Sequence, residues 1–337
     1  MSGNPIATRA RPNCPHCGQA GRALHQHLRD VHHGVAGEWS INACDQCESQ
    51  WLDPVPEPHE IARLYPASYA ATRGAPADLL YGPRSGMGAL RSALKREVLR
   101  HGFGYDALPG SLPLALPAAL IARIGPVRRL VGLNNVLLLS APPGRVLDVG
   151  CGNGRFLFAL QQLGWTAEGI EPDPAAAAQA RAAGIRVIES PIEGAVIPDG
   201  SYDAITIHHV LEHLVDPGRM LEAAARWLRP GGTLVVAVPN PSGAVARHFR
   251  AAWRGFDVPR HLVLLSPKAL QRGMTAAGLQ TDLHTPTRFV PWMLNESSEV
   301  ARHRSGVATT YVERIRCVVQ SLRHERGEEI VCVGRKP

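Results

Sequence analysis

The chain is poor in aromatic side chains, which make up 5% of its 337 residues. It has almost no lysine. Of 36 basic residues only Lys95, Lys268 and Lys336 are lysines, so arginine carries the net charge of +7. The arginines are spread along the chain and form no dense run. An arginine surplus spread along a whole chain reads as compositional bias before it reads as a nucleic-acid surface. No uncharged apolar run is long enough to span a bilayer. The nearest candidate, residues 107–122, is broken by Pro109, Pro113 and Pro117 and followed by Arg123, Arg128 and Arg129. Residues 107–140 are therefore where contact with a membrane surface is expected, without a crossing. The opening "MSGNPIATRARPNCPHC" lacks the apolar core of a signal peptide, and a cytoplasmic location is the expectation.

What is present begins with cysteine. Four of the seven cysteines form two pairs, "CPHC" (Cys14, Cys17) and "CDQC" (Cys44, Cys47). Two residues between cysteines let both thiolates meet one ion from a tight knuckle. Two knuckles complete a tetrahedral four-sulfur shell, which suits structural Zn²⁺ and leaves no open position for chemistry. Two disulfides are the competing reading, and they belong to secreted chains. Cys151, Cys317 and Cys332 stand alone and read as packing residues.

The expected organisation is a zinc module over 1–57, a helical linker or lid over 58–140 and a catalytic domain over 141–337. In the last part, apolar strand patterns alternate with amphipathic or alanine-rich helices: "RVLDVG", "TAEGIEP", "IRVIES", "YDAITIHH" and "TLVVAVPN", then "GLQTDLHT" and "EEIVCVGRKP". This alternation predicts an α/β fold, a Rossmann-like, doubly wound, mostly parallel seven-stranded sheet.

The stretch "VLDVGCGNGRF" leaves its strand through Gly150, Gly152 and Gly154. Such a turn lets a ligand approach the backbone. Its spacing is G-x-G-x-G, whereas a dinucleotide fold wants G-x-G-x-x-G. Asp148 precedes it inside the strand. Glu171 ends the second strand, where an acid can accept both hydroxyls of a ribose.

Together, "VLDVGCGNGRF", "GIEPD" and "LRPGGTLVVAVPN" resemble the S-adenosylmethionine-binding core of class I methyltransferases, over about residues 141–286. The resemblance implies that Asp148, Gly150 and Gly152 hold the methionine end and Glu171 the ribose. Cys151 and Pro172 join them in the cofactor site. Ser190, Pro191 and Ile192 flank the adenine, and His208 and His209 line the floor near the sulfonium. The paired-cysteine module, "LYPASY", "GFDVPRHLVLLSP" and "EIVCVGRKP" are similar to bacterial methyltransferases of glycan and small-molecule biosynthesis.

"HHVLEHLVDP" carries His208, His209, Glu212 and His213 just after strand four. A helix starting near His209 would put 209, 212 and 213 on one face. As a zinc-protease signature the segment is a false match inside this core. The segment also resembles a Mg²⁺ site of ubiquinone-pathway O-methyltransferases, which carry a carboxylate where His209 stands. The remaining reading makes a histidine the general base for an oxygen nucleophile: His209 first, then His261, with His213 also a candidate. Arg260 either binds an acidic substrate group or pairs with Asp257. Trp253 and Phe256 either stack on a substrate ring or pin a lid.

The expected activity is methyl transfer to a small-molecule or glycan acceptor, O-directed. Sugar C-methylation and rRNA or tRNA methylation are the alternatives. An RNA reader would show a basic, aromatic-interleaved zinc module. Here Arg9, Arg11, Arg22 and Arg29 are offset by Asp30, Glu38, Asp45 and Glu48, which argues against a nucleic-acid partner.

Overall fold

The computed structural model describes residues 6–65, 86–106, 108–110, 112–140, 142–306, 309–323 and 326–337. Tyr69 of "LYPASY" lies outside them. By its internal contacts the chain forms two units, which do not follow the sequence boundaries at 57 and 140. One takes the described residues of 1–72, 209–225 and 236–334; the other, those of 73–208, 226–235 and 335–337.

In the first unit, strands β1 (Thr8–Arg9) to β5 (Val55–Pro56) include β2 (Arg22–Leu28), β3 (Trp39–Ala43) and β4 (Gln50–Leu52). Two matching knuckles frame them. Gly18 and Glu48, each just after the second cysteine of its pair, both take positive φ, 75° and 60°. Gly18 N–H donates to Cys14 O and Glu48 N–H to Cys44 O, both at 2.9 Å. This N-terminal module does not complete its own sheet. The strand order is β11-β4-β3-β2, and β11 (Val263–Leu264) comes from far downstream, beyond the whole run of parallel strands. Ser266 Oγ donates to Cys47 O at 2.6 Å, joining the second knuckle to the helix that Ser266 caps, Pro267–Ala276.

The second unit opens with three helices, α1 (Gly86–Phe103), α2 (Leu112–Ala122) and α3 (Gly125–Asn135). Then come β6 (Arg145–Val149), β7 (Thr166–Ile170), β8 (Arg186–Ile188) and β9 (Tyr202–His208). β6 pairs in parallel with both β7 and β9, and β7 with β8. With β10 (Leu228–Pro239), β12 (Gln280–His284) and β13 (Glu329–Arg335) they make the expected seven-stranded sheet, in the order β12-β13-β10-β9-β6-β7-β8. Val146, Leu147 and Val149 are wholly buried, as a strand covered on both faces requires.

The glycine turn follows from packing as well as ligand approach. Gly150, Gly152 and Gly154 all have positive φ. A Cβ on Gly154 would also lie 2.9 Å from Ala180 Cβ, so a side chain there would push α4 (Arg155–Gln162) off α5 (Pro174–Ala182). α5 starts where the sequence says it should: Asp173 caps it, accepting from Ala175 N–H at 2.9 Å, with Pro174 in the first turn.

Candidate active site

Asp148 lies near the end of β6, almost completely buried at 3% exposure, and Thr206 Oγ1 of β9 donates to it at 2.6 Å. Thr206 was not singled out in the sequence. The signal was there: it is the one polar residue inside the "AITI" run of β9, in register with Asp148. Burial drives the Asp148 carboxyl upward. The Thr206 bond opposes this, the charge of Glu171 adds to it, and the result is a pKa of about 7.

Glu171 is buried just beyond β7, and its oxygens brace the glycine turn. Oε2 accepts from Gly152 N–H at 2.7 Å and Oε1 from Asp173 N–H at 2.9 Å. Each oxygen keeps a second lone pair for a ribose hydroxyl. Gly150 and Cys151 donate their N–H groups to Ile170 O, which fixes the turn against β7. Pro172 and Pro191 are exposed, and Ser190 and Ile192 are half-buried, as a rim would be. His208 packs edge-on against Phe156, ring centres 4.7 Å apart. A glycine-rich turn, a buried carboxylate for an ammonium and a second one beside the turn fit an amino-acid-bearing nucleoside such as S-adenosylmethionine. The turn offers no P-loop lysine for phosphates.

In the other unit the segment after β9 departs from expectation. No helix begins at His209. His209 itself is left-handed, φ 50°, and only a single 3₁₀ turn, Leu211–His213, follows. His209 Nε2 lies 3.0 Å from Glu329 Oε1 and its Nδ1 3.3 Å from Glu212 Oε1. Arg288 grips Glu329 with two bonds, Nε to Oε2 at 2.9 Å and Nη2 to Oε1 at 2.8 Å. Burial disfavours the charged imidazole, but the bonds and charges of Glu212 and Glu329 outweigh it and push its pKa up to about 10. A histidine held protonated at neutral pH has no lone pair for a proton. The first-choice base is therefore corrected: His209 is the cation of a two-carboxylate network.

His213 and His261 are differently placed. Their rings meet edge to face at 4.8 Å. His213 Nδ1 lies 3.1 Å from Arg260 O and 3.0 Å from Tyr65 Oη. His261 Nδ1 lies 2.7 Å from Gly255 O. A carbonyl only accepts, so in both rings Nδ1 carries a proton, and Nε2 is the atom left to take or give one. Burial, then the neighbouring His213, lowers the His261 pKa to about 4. One ligand-type atom from each of Glu212, His213 and His261 falls within 4.8 Å of the others. Glu212 is 1% exposed, and apart from its ion pair with His209 neither of its oxygens accepts a well-formed hydrogen bond among the described residues. The group that could hold a metal ion therefore brings His261, not His209, to Glu212 and His213. Two imidazoles suit a transition ion better than Mg²⁺.

The remaining candidates resolve into packing. Arg260 is fully buried between Asp257 and Asp30 and has no face for substrate. Trp253 and Phe256 are buried against each other, ring centres 5.2 Å apart. The four cysteine sulfurs gather as the spacing predicts. Cys14–Cys47, Cys17–Cys44 and Cys17–Cys47 stand 3.5, 3.4 and 3.6 Å apart. These separations are too long for a disulfide and near the edge of about 3.8 Å for a tetrahedron with Zn–S bonds of about 2.3 Å. Among the described residues no histidine joins that cluster.

A family profile described as a methyltransferase domain matches residues 121–284. The ubiquinone biosynthesis O-methyltransferase of Xanthomonas oryzae pv. oryzae is 35% identical over 190 residues, covering 50% of this chain and 78% of the relative. The protein of the same name from Xanthomonas campestris pv. campestris is 29% identical over 219 residues, covering 58% and 87%. A crystal structure of an S-adenosylmethionine-dependent methyltransferase from Thermotoga maritima, described as a possible histamine N-methyltransferase, aligns at 21% identity and a TM-score of 0.44, over 67% of this chain and 96% of that one. The chain belongs to the S-adenosylmethionine-dependent methyltransferases. Among the described residues no helix is long and apolar enough to cross a membrane.

One prediction concerns Asp148. Only its charged form would attract a cofactor ammonium, and burial gives the carboxyl a pKa of about 7. Affinity for S-adenosylhomocysteine should therefore be level above that pH and fall toward tenfold per unit below it. Calorimetric titration across the range checks this, and affinity independent of pH would remove Asp148 from the ammonium site.

Proposed function

We propose that the chain methylates an oxygen of a small-molecule or glycan acceptor, with His213 taking the hydroxyl proton. The O-directed reading is supported by the relatives, which are named ubiquinone biosynthesis O-methyltransferases. The observation that carries the base assignment is the contrast between two histidines. His209 is held charged by two carboxylates, whereas His213 turns its Nδ1–H to a carbonyl and leaves Nε2 as its proton-accepting atom. Bound S-adenosylmethionine supplies a methyl carbon already activated by its sulfonium. The residues then have to align the acceptor and receive its proton. Asp148 and Glu171 hold the two ends of the cofactor. His213 receives the proton on Nε2 and carries its charge beside the buried Glu212.

A second reading is favoured by the buried Glu212 carboxylate, which beyond its ion pair with His209 accepts no well-formed hydrogen bond among the described residues. Here Glu212, His213 and His261 hold a divalent transition ion, which when bound would lower the pKa of the acceptor hydroxyl.

Mass spectrometry should find one methyl added to a member of a panel of phenols, nucleotide sugars and lipid-linked glycans, and none to RNA. His213→Ala should lower turnover by about 10²–10⁴ with cofactor affinity unchanged. Full turnover in that variant would discard both readings. Activity lost on chelation at one equivalent of retained zinc, and restored by a second equivalent of a transition ion, would select the metal reading over the base.

A further inference from the structure

α2 is built the wrong way round for a helix of a water-exposed protein. It buries its small residues, Ala118 at 0% and Ala122 at 5% exposure. It presents two leucines to solvent, Leu116 at 80% and Leu120 at 63%. Four positions apart, these two leucines share a face. The chain then turns through Ile124, 51% exposed, into α3, where Leu130 is 55% exposed. Single exposed leucines need no explanation, but leucines exposed on a helix that hides its alanines do.

The polar surroundings identify what covers them. Arg123, Arg128 and Arg129 are all exposed on this same short stretch. No aspartate or glutamate occurs anywhere from residue 107 to residue 147. An apolar ridge edged only by arginines fits a surface that is apolar inside and negative outside. It fits a second copy of the chain poorly, because a two-fold contact would set arginines against arginines. α2 has 11 residues, about 16 Å of helix, too short to span a bilayer and long enough to lie in its interface.

We infer that α2 and the start of α3 dock the protein on an anionic lipid surface, with Leu116, Leu120 and Ile124 in the acyl boundary and the arginines at the phosphates. The inference is independent of the acceptor's identity. It does not need the helices to cross the membrane, and no described helix does.

The test is co-sedimentation of the full chain with phosphatidylcholine vesicles, with and without about a third phosphatidylglycerol. Binding should require the anionic lipid and weaken with salt. Leu116→Ser with Leu120→Ser should lower the partition constant at least about tenfold. Arg123→Glu with Arg129→Glu should abolish the preference for anionic lipid. Arg128 is left in place because it packs over the Phe103 ring, 5.8 Å from its centre. All four positions are exposed, so cofactor affinity and thermal unfolding should match the parent. Three results would overturn the inference: no binding to anionic vesicles at low salt, undiminished binding by the leucine variant, or a concentration-dependent dimer that the leucine variant abolishes.

Discussion

Replacing Arg260 by leucine is expected to destabilise the unit that contains it by about 3–5 kcal/mol, the range for removing one partner of a buried ion pair. The guanidinium is fully buried. It donates from Nη1 and Nη2 to Asp30 at 2.7 and 3.0 Å, and from Nε and Nη2 to Asp257 at 3.1 and 2.6 Å. Without it two carboxylates remain desolvated. Asp30 would keep only the backbone N–H groups of His32, His33 and Val35, and Asp257 chiefly Arg254. Burial raises both carboxyls, but their charged partners win, and both sit below the usual aspartate range. A depressed carboxylate stabilises the fold above its unfolded pKa of about 3.9, and that stabilisation is lost as pH falls through the folded value. The deficit of the leucine variant should therefore be largest near neutrality and shrink in acid. Urea unfolding read by the buried Trp51 and Trp253, both in the same unit, measures it. A deficit below about 1 kcal/mol at neutral pH would mean the triad contributes no more than a surface pair.

The second large effect concerns the cysteine cluster. Purified protein should carry about one zinc per chain, and Cys44→Ser or strong chelation should unfold the segment around the two knuckles. Structural zinc contributes an apparent 10–16 kcal/mol, roughly, in small zinc-dependent folds. The loss should not stop at the end of the N-terminal module. β4 pairs with β11, and Ser266 is bonded to the backbone of Cys47, so residues 262–266 should lose protection with the cluster. Hydrogen exchange followed peptide by peptide reads this directly. A metal-free protein with β2, β3, β4 and β11 still protected would remove the structural role. Loss confined to β2, β3 and β4 would show that the module and β11 fold separately.

The features legible in the sequence are those whose causes lie close by along the chain. The alternation of "RVLDVG", the α4 and α5 helices and the strands around them depends on periodicity and on local caps such as Asp173. The glycine turn depends on φ values that glycine takes without strain, and the cysteine knuckles on a two-residue spacing. Glu171 just beyond β7 was also readable, though its grip on Gly152 was not.

Partners far along the chain decided the rest. His209 looked like a base because its neighbours in sequence are histidines and an acid. It is a cation because Glu329, 120 residues away, and Glu212 both reach it. Arg260 looked available to a substrate, and Asp30, 230 residues away, closes it in. His261 enters the group of Glu212 and His213 from a distant downstream loop that no local pattern connects to them. Charge state and exposure depend on every group that folding brings within a few ångströms. Strand and helix pattern depends on neighbours along the chain, so fold class and cofactor turn could be read from residue order, while the surroundings of the three histidines required the packed structure.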